Sequence, residues 1–137
     1  MIRSDVIRRL QSYLQTAYNG PITILGEEDD GDLTPPCAVV RIGQSEEFGA
    51  NQAVVWDFNV MVATFHDADD DSIATAESQA EELFDELCDI DAVSAYLASG
   101  GFLVSVWRPL TMEAGREETK WTHIHGFHLI IAYNPAP

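Results

Sequence analysis

The sequence predicts an α+β domain in which a mostly antiparallel sheet of about five strands is packed on one face by two main helices. Three observations lead there. Two stretches, one at the start and one in the middle, carry apolar residues at helical spacing. Several others alternate or run apolar, rich in β-branched and aromatic residues. Polar stretches, and not crossover helices, separate most neighbouring strands, so hairpins join them and the order reads α-β-β-β-α-(α)-β-β. The 137 residues suit a single domain over 1–137, with 46% hydrophobic and 22% charged residues, a globular balance and not that of a disordered chain.

Ser4 is placed to cap a first helix over residues 5–18, where Val6, Ile7, Leu10, Tyr13, Leu14 and Ala17 share a face and Gly20 and Pro21 stop it. Its other side carries Arg3, Arg8 and Arg9, a surface for solvent or for an acidic neighbour. A short apolar run at 21–25 leads into EEDDGDLTPP, which reads as a loop because its glycine and prolines cannot continue an interior strand. Residues 37–42 (CAVVRI) form the next strand, and SEEFGANQ reads as a flexible hairpin tip.

Residues 53–65 make the longest strand candidate, with Val54, Trp56, Phe58, Val60 and Val62 on one parity and Asp57 and Asn59 on the other. DADDDS is a helix-start signal in which Asp71 or Ser72 caps free amides and carboxylates meet the positive end of the dipole. Ile73, Ala76, Ala80, Leu83, Phe84 and Leu87 then form a core stripe ending near Cys88. Asp89 or Asp91 restarts a short third helix, which residues 98–101 end. A strand at 102–107, a long polar loop at 108–119 and a final strand at 120–133 complete the chain, with NPAP as a short tail.

Charge narrows the function. Seven basic against 23 acidic residues give −16, a field that disfavours gripping nucleic acid. Such a chain can let DNA slide past an acidic wall, or imitate DNA as an acidic decoy. Cys37 and Cys88 are too few and too far apart for a disulfide framework or a CxxC site, and read as small buried hydrophobes. The charged N-terminal stretch has neither signal-peptide nor membrane-span character.

Chemistry-bearing patterns are sparse. The acidic run from Glu27 to Asp30 lacks the ligand register of an EF-hand. Three of the four histidines lie in WTHIHGFHLIIAY. In a strand, His123 and His125 share a face roughly 7 Å apart and His128 points the other way. The simplest reading is a polar outer end on a strand whose inner end, with Phe127, Leu129, Ile131 and Tyr133, is core. There is no GxSxG elbow, no cysteine beside a base and no phosphate-cradling loop. The expectation is therefore no catalytic, cofactor or metal site and a structural role, with the irregular polar stretches 27–36, 43–52 and 108–119 as arms that reach neighbours. Trp107 and Trp121 serve as core plugs or interface anchors.

The sequence resembles the tail terminator, or tail completion, proteins of long-tailed bacteriophages. The likeness rests on the first helix (IRSDVIRRLQSYL), the proline-preceded strand TPPCAVVRIG with SEEFG, the strand that runs through acids into a helix (FNVMVATFHDADDDSIATAESQAEELFDEL) and the closing IIAYNPAP. It spans nearly the whole chain as pattern and carries no invariant motif. It implies a virion protein, assembled in the host cytoplasm, whose copies form a homohexameric ring on the tail tube. The ring would stop tube growth, join the head-tail connector or neck, and pass DNA as cargo along an acidic bore. Expected subunit-interface residues are Arg3, Arg8, Arg9, Arg108, Glu113, Arg116 and Trp121. The alternatives are a head-completion or neck protein of the same junction, and a DNA-mimicking inhibitor.

Overall fold

A computed structural model describes residues 2–27, 29, 34–50 and 53–133, with the backbone alone for 44–50, 53, 54 and 111. The elements are α1 (Ile2–Ala17), β1 (Thr23–Gly26), β2 (Cys37–Ala50), β3 (Ala53–Asp67), α2 (Ile73–Leu87), α3 (Ile90–Ala98), β4 (Phe102–Glu117) and β5 (Lys120–Tyr133). This is the predicted order, and the α+β class holds. The strands form a five-stranded sheet ordered β1-β2-β3-β5-β4. All neighbouring pairs are antiparallel except β1 with β2, which are parallel, so the sheet is mostly antiparallel as expected.

Period-two alternation decides which face is core. Val40 and Ile42 of β2, Phe58, Val60 and Val62 of β3, and Phe127, Leu129 and Ile131 of β5 are all buried in one cluster with Leu10 and Leu14 of α1, Leu83 and Leu87 of α2, and Val93 and Leu97 of α3. Burying each such side chain stabilises the fold by about 1.5–3 kcal/mol. Trp107 on β4 closes the cluster, its ring stacked on Phe127 at 4.6 Å and its indole N–H donating to the Leu87 carbonyl at 2.6 Å.

The helix ends follow local chemistry. Ser72 caps α2, its hydroxyl accepting from the Thr75 amide at 3.1 Å, and the Asp89 carboxylate caps α3 by accepting from the Ala92 amide at 3.1 Å. Gly101, with φ 89, makes the left-handed turn from α3 into β4. Three expectations shift. α1 begins at Ile2, which leaves Ser4 inside the helix and not at its cap. Ile73, the first residue of α2, is 56% exposed, and burial of the helix begins at Ala76. Tyr133, placed in the core from parity, is 39% exposed at the strand end.

Two stretches read as polar arms are strands. β2 runs on to Ala50, which pairs with Ala53, so 45–50 is ladder and not flexible tip; residues 51 and 52 lie outside the described set. β4 runs through 108–117 and pairs with β5 as far as Glu117 opposite Lys120, leaving only 118 and 119 as a turn. β4 is an edge strand, where one side of each residue needs no ladder partner, so Pro109 is tolerated. Irregularities between Val104 and Val106 and between Pro109 and Thr111 erase the alternation that would have marked a strand. Most of the acidic loop (residues 28 and 30–33) and the NPAP tail (134–137) lie outside the described residues.

Candidate functional site

The histidines lie where alternation sends them but not in the polar setting expected. His123 and His125 face the helices and are 3% and 0% exposed; His128 faces away and meets the Asp57 carboxylate at 2.8 Å. The register sets Thr64 beside His123, Val62 beside His125 and His66 beside Trp121, so a third buried imidazole joins the patch from β3. The sequence signal for His66 was present: it continues the parity of Phe58, Val60 and Val62. Phe84 of α2 lies over His125 with ring centroids 4.5 Å apart, and Gln79 of α2 bonds His66 Nε2 at 2.7 Å.

The polar atoms beneath α2 are poorly satisfied. Nδ1 of His66, His123 and His125, Nε2 of His125 and Oγ1 of Thr64 have no hydrogen-bond partner. Burial, with help from neighbouring His123, pushes the His125 pKa down to about 4. His123 is also lowered, by burial first and then by His66, against the opposing pull of Glu77 and Glu81. Both rings are therefore neutral near pH 7. Among the described residues no group of three or more His, Cys, Asp or Glu is arranged to hold a metal ion. Cys37 and Cys88 are free thiols whose pKa values burial raises, the opposite of nucleophile activation.

The expected interface residues divide into engaged and available. Arg3 donates to the Ile42 carbonyl at 2.8 Å and pairs with Glu27. Arg9 donates to Ser99 Oγ at 2.8 Å and covers the Tyr96 ring at 5.2 Å. Arg8 lines a depression of about 380 Å³ with Asp5 and Tyr133. Arg116 lies over the Trp121 ring at 5.2 Å, and the Trp121 indole donates to the Asp71 carbonyl at 3.0 Å. Glu113 is exposed, and Arg108 is exposed with no hydrogen bond or ion pair to any described residue. Arg108, Glu113 and Arg116 thus share β4 at different heights, Trp121 lies beside Arg116 on β5, and Arg3, Arg8 and Arg9 share α1.

Charge is segregated in space. Residues 42–107 contain no lysine or arginine, and ten of the acids fall between Asp69 and Asp91, on and around α2. A groove of about 390 Å³ between the end of α1 and the second half of α2 is lined by Tyr18, Glu82, Asp85 and Glu86. Periodicity alone did not show this groove, since it depends on how two helices meet. Leu103, Leu110 and Met112 of β4 are each about half exposed, at 51%, 48% and 56%.

These features define an α+β domain with one helix-covered sheet face, a long bare edge strand and an acidic helical surface. No protein-family model matches the sequence, and no curated protein matches it. The fold is similar to that of a chain in the solved structure described as "Virion of native gene transfer agent (GTA) particle", with a TM-score of 0.54 and 15% identity over 93% of this chain and 91% of that one. At this identity the likeness establishes the shared fold.

Proposed function

We propose that this chain is a structural subunit of a phage-type virion, and within it a tail terminator whose copies close into a hexameric ring at the end of the tail tube. The observation that carries this reading is the fold shared, over nearly the whole of both chains, with a component of a gene transfer agent virion. The sequence resemblance to tail terminators points the same way. So does the charge of −16, which suits a ring through which DNA moves without sticking. In this role the tail tube protein and the head-tail connector are the partners, and DNA is only cargo.

The test is to purify the chain alone and together with its tail tube protein, then image both by negative stain and weigh them by native mass spectrometry. Six-fold rings, alone or capping tubes of limited length, are expected. A twelve-fold ring would move the chain to the neck or head-completion position. A particle that stays monomeric in both settings overturns the ring, and tight inhibition of a DNA-binding enzyme by that monomer would favour the decoy.

A further inference from the structure

We infer that copies of this chain join head to tail, with Arg108, Leu110 and Met112 on the β4 edge of one copy seated against the groove of Tyr18, Glu82, Asp85 and Glu86 on the next. This deepens the ring reading and rests on it. The donor surface combines a cation without a partner among the described residues and two large apolar side chains on the free edge of the sheet. An exposed edge of this kind invites pairing with another chain unless something covers it.

The acceptor is built for a guanidinium. Three carboxylates line one groove, and no lysine or arginine lines it. Tyr18 is 8% exposed, and its hydroxyl, packed against Gly20, meets no partner at hydrogen-bonding geometry. An arginine presents five N–H donors in a planar fork, enough to serve two of these carboxylates together. Ile90, 51% exposed at the start of α3 just beyond α2, offers an apolar contact for Leu110 or Met112.

The two surfaces do not overlap. The donor residues lie on the second half of β4 and the groove on the end of α1 and the second half of α2, so no residue belongs to both surfaces. Such a heterologous contact gives a ring when its rotation closes. The arginines of α1 are the weaker donors, since Arg3 and Arg9 already bond within their own copy.

The experiment compares wild type, Arg108→Glu, Met112→Asp and the triple reversal Arg108→Glu/Asp85→Arg/Glu86→Arg by sedimentation velocity, alone and with the tail tube protein. Circular dichroism checks that each is folded. The two donor variants are expected to lower the assembled fraction at least tenfold, and the triple reversal to recover most of it. Arg108→Glu assembling like wild type, or a triple reversal no better than Arg108→Glu, overturns this pairing and leaves the ring standing. A wild type that assembles in neither setting overturns both.

Discussion

The two halves of β4 run beside the same partner strand, yet they face different surroundings. In the first half Phe102 and Trp107 are buried beneath the helices, at 2% and 4% exposure. In the second, Leu110 and Met112 stand about half exposed, and every described side chain of 112–117 is exposed. Hydrogen bonding is shared by both halves, since the ladder to β5 runs from Phe102 to Glu117. What differs is the helix layer, which supplies apolar burial to one half and leaves the other bare. Backbone pairing therefore sets the shape of this strand, and side-chain burial sets which part of it contributes stability.

The sharpest break of that contrast is Trp107→Ala. It removes the ring on Phe127 and the bond to Leu87, and is expected to cost about 3–5 kcal/mol in urea or thermal unfolding. A loss under 1 kcal/mol would show that the covered half is not core.

At the border between covered and bare sits His125, under Phe84 and opposite Met112. Its folded pKa, near 4, lies below the ordinary histidine value of 6.5, so unfolding takes up a proton between those pH values. Stability from this group is whole above pH 6.5 and drains as pH falls towards 4, by about 3 kcal/mol in all. His123 adds to the same slope. Unfolding free energies at pH 7 and 4.5 should differ accordingly, and His125→Phe should flatten the difference; an unchanged slope would place its origin elsewhere.

Smaller effects complete the series. Ser72→Ala removes the cap from the Thr75 amide at the start of α2 and should cost about 1 kcal/mol, read as a lowered denaturation midpoint. Met112→Ser, on the bare half, should change stability by no more than about 0.5 kcal/mol while weakening self-association. A large stability loss there would mean that Met112 belongs to the core after all.

Legibility in the sequence followed local signal strength. The stripes of α1 and α2, the Ser72 cap and the parity of Phe58, Val60 and Val62 were readable because each is a pattern within one element. The second half of β4 was not, because a proline, two irregularities and polar side chains hide a strand that only its pairing with β5 sustains. The burial of His123 and His125 also escaped local reading. A polar side chain in a strand says which face it shares, and a helix arriving from elsewhere decides whether that face is dry.

From residue order alone come the element types, their succession and the excess of negative charge, since propensity, periodicity and ionisation act over a few neighbouring residues. The parallel pairing of β1 and β2, the dry imidazoles beneath α2 and the gathering of Tyr18 with Glu82, Asp85 and Glu86 arise only on folding. They depend on which distant surfaces meet, and that is set by the packing of the whole domain.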